Sequence, residues 1–258
     1  MPSLKKLYSF DSIINRLENI LTFSDNIEVP QRYKTSNGIY PLIKIVLGKD
    51  NPRRALISAG IHGDEPGGVE TILKFLQERR YLDYIDEWEI TLLPCINPFG
   101  YEFGIRENHQ GKDLNRLFKT DLPPLEVIFA QSIINKGFEI SIELHEDYDS
   151  SGYYLYQIGT EKKHEGIGLN ILDSLKGVIP VNLDKEIDGS KAEQGVIGKE
   201  LDISTMDWWP MGLYSFSNKT QMCLTLEAPS CFELKKRVNA HFLALTTALN
   251  QFHESSLK

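Results

Sequence analysis

"ALISAGIHGDEPGGVE", residues 55–70, decides the fold. Its first seven residues form a short apolar run of strand type. "HGDE" (62–65) breaks that run into a turn, and "PGG" (66–68) opens an amphipathic stretch with proline suited to a first helical turn. A strand turning directly into a helix is the repeating unit of an open α/β sheet. Such sheets place ligand sites at the carboxyl ends of their strands, which is where His62 and Glu65 leave the chain.

The alternation continues outward from this unit. Strands are predicted at 40–48, 89–96, 138–145, 152–158 and 222–228, rich in β-branched and aromatic residues and bounded by Gly, Pro, Asn or Asp. Helices are predicted over 12–22 (Ile13, Ile14, Leu17, Ile20 and Leu21 on one face) and over 69–80 (Val69, Ile72, Leu73 and Leu76). Further helices are predicted over 125–135 after "LPP", over 164–175, and over 234–253 through Val238, Phe242, Leu245, Leu249 and Phe252. The pattern implies an α/β fold: a three-layer α/β/α sandwich with a largely parallel (mixed) central sheet, built from residues 1–258 as a single domain. The segment 182–221 has little periodicity and reads as a long excursion over one sheet edge.

The composition narrows the function. With 28 basic against 36 acidic residues, the net charge of −8 argues against a broad face for nucleic acid. No run approaches eighteen apolar residues, and "MPSLKKLYSFDSIINRL" lacks the apolar core of a signal peptide. Neither a membrane span nor secretion is expected. Cys95 and Cys223 sit in apolar runs and read as core residues of a reducing compartment, so a cytoplasmic location is the expectation. Oligomeric state is left open.

A histidine and a glutamate three residues apart are weak evidence alone. A turn, however, can aim both side chains at one point, and imidazole and carboxylate both suit zinc. Catalytic zinc takes three protein ligands, and His145, ending the apolar strand "EISIELH", offers the third from an independent strand end. The other histidines read differently: His109 in a polar loop, His164 and His253 in charged surroundings, His241 on a surface helix. Between the two strand ends lies "INPFGYEFGIRENHQGKDLNRLF" (96–118), where "NPFG" reads as a turn. Its chemistry lies in Arg106, Asp113, Asn115 and Arg116. A guanidinium grips a carboxylate through two parallel hydrogen bonds, and an adjacent amide adds a third.

In order, "HGDE", "NPFGY", Arg106 in "IREN", "DLNR", His145 in "ELH" and Glu227 in "LTLEAPS" resemble the signature of the zinc metallocarboxypeptidases. The resemblance runs from about residue 35 to the C-terminus. It implies one Zn2+ per chain, held by His62, Glu65 and His145, with Asp113 orienting His62. It also implies that Asn115 and Arg116 hold the free carboxylate of a peptide substrate and that Arg106 polarises the scissile carbonyl. Glu227 would deprotonate the zinc-activated water and return the proton to the leaving amine.

The chain is similar in particular to small bacterial members such as the murein peptide amidases, which implies a peptide of cell-wall origin. Two departures stand out. Asp64 replaces the arginine of the digestive enzymes, which argues against extended peptide binding like theirs. Thr205 stands where the family's substrate-covering tyrosine is expected, so Tyr214, Trp208 or Trp209 is expected to line the pocket instead. The related succinylglutamate desuccinylase/aspartoacylase group cleaves N-acyl amino acids with similar zinc and "DLNR" motifs and is the alternative. The residues after Glu227 read mainly as one helix, without the extra β domain of those enzymes, which favours the peptidase. A binding protein on the same fold would lack a ligand or the base, and neither is missing. The chain has no G-x-x-x-x-G-K-[ST] and no G-x-S-x-G.

Overall fold

The computed structural model describes residues 5–21, 26–198 and 206–256. The strands are β1 (Ile27–Lys34), β2 (Ile39–Leu47), β3 (Arg53–Ala59), β4 (Trp88–Leu93), β5 (Ile140–Asp147), β6 (Tyr154–Gly159), β7 (Glu186–Ile187), β8 (Ser190–Lys191), β9 (Val196–Gly198) and β10 (Met222–Pro229). The helices are α1 (Phe10–Ile20), α2 (Pro66–Gln77), α3 (Pro98–Phe103), α4 (Leu125–Ile134), α5 (Ile167–Ser174), α6 (Met211–Ser217) and α7 (Leu234–Ser256). Among the described residues, one sheet runs in the order β1-β2-β4-β3-β5-β10-β6-β9, with β7 and β8 pairing separately. Its centre, β4-β3-β5-β10, is parallel; β2 and β6 join it antiparallel, β1 pairs antiparallel with β2, and β9 runs parallel to β6. The fold is therefore a mixed, largely parallel sheet between two helical layers.

Alternation along the strands assigns the layers. Ala55, Ile57, Ile140, Ile142, Leu144, Leu224 and Leu226 face a core closed by α1, α2, α5 and α7. Leu56, Leu93, Leu42 and Ile96 face the opposite core, closed by Val127, Ala130 and Ile134 of α4 and Met211 of α6. Central strands buried on both faces explain the near-continuous apolar runs in their sequence. No helix among the described residues is long and apolar enough to cross a membrane.

Several elements depart from the sequence reading. β1 is an additional edge strand. Its polar, half-exposed residues and the register shift between Glu28 and Gln31, around Pro30, hide it from a search for apolar runs. "NPFG" is more than a turn: Asn97 caps α3 by accepting from Gly100 N (2.9 Å), Pro98 fills the first position, and Gly104 (φ 62°) ends the helix. The excursion 182–221 is partly ordered into β7, β8, β9 and α6; residues 199–205 within it lie outside the described residues.

α7 buries Leu245, Leu249 and Phe252 of the face its large apolar residues suggest, with Val238 and Phe242 only half-buried, and buries beside them a flank of Ala240, His241, Ala244 and Ala248. The alanines let α7 lie close to its neighbours. That places His241 in the interior, fully enclosed and within 2.8 Å of the Tyr153 hydroxyl, not on a surface as its helix suggested.

Two glycines lock the loops after β3 and β4 together. A Cβ on Gly63 would sit 1.9 Å from the carbonyl carbon of Gly100, so the backbones of "HGDE" and "NPFGY" are in direct contact.

Candidate metal centre

β3 ends at Ala59, and Gly60, in the left-handed region at φ 62°, swings the chain so that His62 projects over the sheet's carboxyl edge. Glu65 is the N-cap of α2 but makes no side-chain bond to its own helix. Its carboxylate is occupied elsewhere. Oε1 lies 2.6 Å from His62 Nδ1, and Oε2 lies 3.0 Å from His145 Nδ1 and accepts from the backbone N–H of Glu146 at 3.1 Å. One ligand atom from each of His62, Glu65 and His145 falls within 4.8 Å of the others, and all three residues are buried. The sequence expectation that these three converge is met in space.

The outer edges of both imidazoles face further carboxylates. His62 Nε2 is 3.2 Å from Asp113 Oδ1, and His145 Nε2 is 3.6 Å from Glu143 Oε2. Both rings thus turn Nδ1 inward and rest Nε2 near an anion, which fixes ring orientation, as metal-ligating histidines require. Two nitrogens and one carboxylate make a donor set of zinc type. The electrostatics agree. Burial alone would raise the Glu65 carboxyl, but the two imidazoles overcome it and hold it well below the usual carboxylate range. Burial likewise opposes ionisation of Asp113, and His62, Arg106 and Arg116 together hold it low.

Asp113 also ties the ligands to the basic residues. Its Oδ2 accepts from Arg106 Nε at 3.0 Å, and its Oδ1 accepts from Asn115 N at 3.0 Å, capping the 3-10 turn Leu114–Arg116. Arg106 Nη1 also reaches within 3.5 Å of Glu65 Oε1, which puts its guanidinium at the rim of the cluster. Asn115 is buried, and its Oδ1 accepts from Met211 N at 2.8 Å. Arg116 is exposed, and its guanidinium lies 4.2 Å from the ring centre of Trp208.

Glu227 is the register partner of His145 across the β5–β10 ladder and of Tyr154 across β10–β6. It therefore shares the sheet face and height of His145. Burial pushes its carboxyl up to about 8, with His145 opposing and Glu65, Asp147 and Asp188 adding to the rise. Asp147 and Asp188 accept from the hydroxyls of Tyr154 (2.9 Å) and Tyr156 (2.6 Å).

Tyr214 is not brought to this site. Its hydroxyl donates to Asn135 Oδ1 at 2.9 Å, beyond the end of α4 that leads into the start of β5, and His145 lies at that strand's other end. Its ring packs instead near Phe118, 5.6 Å between centres. The reason is its place on α6, whose inner face closes the α4-side core. Of the expected aromatics Trp208 lies against Arg116, while Trp209 packs on that same core and beside Lys119. Thr205 lies outside the described residues. Glu143 was missed because it reads as one polar residue in an apolar strand. Its signal was position: two residues before His145, it shares His145's side of β5.

The sequence model of the family described as succinylglutamate desuccinylase/aspartoacylase catalytic domain matches residues 51–228. No curated protein matches the chain. Among solved structures, a protein provisionally described as a metallopeptidase from Shewanella baltica OS155 superimposes with a TM-score of 0.77 at 24% identity, covering 94% of this chain and 92% of that one. A metallo-carboxypeptidase from Burkholderia cenocepacia gives 0.69 at 17% identity, covering 96% and 70%. One from Pseudomonas aeruginosa, in complex with (2-guanidinoethylmercapto)succinic acid, gives 0.66 at 16% identity, covering 95% and 70%. At these identities the likeness is one of fold.

Proposed function

Because the chain belongs to the succinylglutamate desuccinylase/aspartoacylase catalytic-domain family, we propose that it is a zinc-dependent hydrolase of an amide bond next to a free carboxylate. Its preferred action in this reading is that of a carboxypeptidase, removing the C-terminal residue of a peptide, cell-wall fragments among the substrates. Residues 1–258 act as one catalytic domain. The observation that carries the reading is the convergence of His62, Glu65 and His145 beside Glu227, with Arg106 at the rim and an exposed Arg116 on the turn that Asp113 caps.

His62, Glu65 and His145 would hold one zinc ion. Bound there, zinc supplies Lewis acidity and lowers the pKa of a water toward about 7. This chain's own residues supply the rest. Arg116 pairs with the substrate carboxylate and sets the register of the scissile bond, with Asn115 holding the turn through Met211 N. Arg106 places a guanidinium where negative charge develops on the carbonyl oxygen, an effect of roughly a few kcal/mol. Glu227 takes the proton from the attacking water and passes it to the leaving nitrogen.

The family match supports a second reading, an N-acyl amino acid deacylase. The deciding experiment offers zinc-loaded protein two pools, free-C-terminus peptides (including D-residue and γ-linked fragments) and N-acyl amino acids. Products are read by mass spectrometry with and without a chelator. Chelator-sensitive loss of a C-terminal residue supports the carboxypeptidase; turnover in the acyl pool alone moves the protein to the deacylases. Turnover in neither overturns both.

A further inference from the structure

On β5, His145 and Glu146 point to opposite faces of the sheet. His145 joins the metal cluster. Glu146 enters the helical layer on the other side, where its side chain is 0% exposed and its Oε1 lies 2.5 Å from Nη1 of Arg237 on α7. Arg237 is itself largely enclosed, with 13% of its side chain exposed.

The Glu146 carboxylate lies against the first turn of α2. A Cβ on Gly67 would come within 2.2 Å of Oε1, and one on Gly68 within 2.7 Å of the Leu144 carbonyl oxygen. The "PGG" of the sequence is thus the surface that lets the end of β5 press onto the start of α2. That start is positively polarised and has no side-chain cap of its own, and the Glu146 carboxyl is buried against it, pushed up to about 7 by that burial with Arg237 opposing. The same residue holds Glu65 from the other direction, through its backbone N–H to Oε2 at 3.1 Å. α7, the end of β5 and the residue opening α2 are therefore joined through Glu146.

A buried ion pair adds little net stability compared with apolar residues of the same size, because both charges lose their water. Its position behind the carboxylate of the cluster gives it another use. We propose that the Glu146–Arg237 pair is a positioning device for Glu65, fixing its carboxylate between the two imidazoles before a metal ion arrives. This rests on the reading of His62, Glu65 and His145 as a zinc site.

The test measures the zinc dissociation constant of metal-free protein by competition with a chromophoric chelator, alongside thermal melting of the same metal-free samples. Glu146→Gln and Arg237→Gln are expected to bind zinc about 10-fold or more weakly while still melting cooperatively, as loss of an outer support of a ligand does. Arg237→Lys, which keeps the charge, is expected to stay close to the parent value. Unchanged zinc affinity in both glutamine variants, with or without a lower melting temperature, overturns the proposal and leaves the pair a purely structural contact. Should Glu146→Gln not fold, the contrast between Arg237→Gln and Arg237→Lys decides by the same criterion. A parent protein that takes up no zinc would overturn the zinc reading and this inference together; zinc uptake with unaffected variants overturns the inference alone.

Discussion

His145 and Glu227 are register partners on adjacent parallel strands. A single ladder therefore holds both side chains at the same height on the same face, with Tyr154 flanking Glu227 from the antiparallel side. Neither residue can shift along its strand without dragging the other. Such a rigid pairing suits two groups that must act on one reacting centre.

Glu227→Gln keeps the shape of the side chain and removes its proton-accepting capacity. Zinc content should remain at one ion per chain while kcat falls by roughly 10²–10⁴-fold, the usual worth of a positioned general base. Metal analysis paired with steady-state kinetics checks this. Retained turnover would remove Glu227 from the reaction.

His62→Ala removes one of two nitrogen donors and leaves the Glu65 and His145 contacts in place. The variant should fold and lose its stoichiometric zinc on dialysis, measured by atomic absorption. Undiminished zinc content would place the metal elsewhere.

Arg116→Gln should act on substrate capture. The exposed guanidinium is the group expected to meet the substrate carboxylate, so kcat/KM should fall by about 10²-fold or more for free acids and change little for C-terminal amides. Arg116→Lys keeps the charge but not the fork or the stacking on Trp208, and should recover only part of the loss. Equal losses on acids and amides would count against a carboxylate grip.

His241 gives the metal-free protein an acid sensitivity. Burial holds its imidazole down to about 3, against 6.5 for an unperturbed histidine. It stays neutral in the folded chain and gains a proton on unfolding. Its share of stability is whole above about pH 6.5 and is lost progressively as pH falls toward 3, of order 5 kcal/mol at most. Melting temperatures of chelator-treated protein, taken between about pH 7 and pH 4, should therefore drop less in His241→Gln than in the parent. Parallel curves would show that His241 does not carry this dependence.

The parts of the fold with strong apolar contrast were legible in the sequence. The central strands and α2 announce themselves because both strand faces are buried and proline marks the helix start. β1 did not, because an edge strand needs only one buried face and this one is interrupted at Pro30. In the site, His62 and His145 stood out as polar residues ending apolar runs. His241 was misplaced for the converse reason: the buried flank it shares is made by alanines, whose weak hydrophobic signal does not show that burial extends beyond Leu245, Leu249 and Phe252. Tyr214 was one of three aromatics expected in place of Thr205, and nearness in the chain says nothing about which layer a helix joins.

The contact between Gly63 and Gly100 has a consequence for anyone redesigning this protein. Because two backbones meet there without an intervening side chain, the "HGDE" and "NPFGY" loops behave as one cassette. Transplanting either loop alone from a relative would import a mismatched spacing, whereas exchanging the pair carries its own fit. Libraries aimed at new substrates are better directed at the Arg116–Trp208 side, where side chains, not main chains, form the contact and can be varied one at a time.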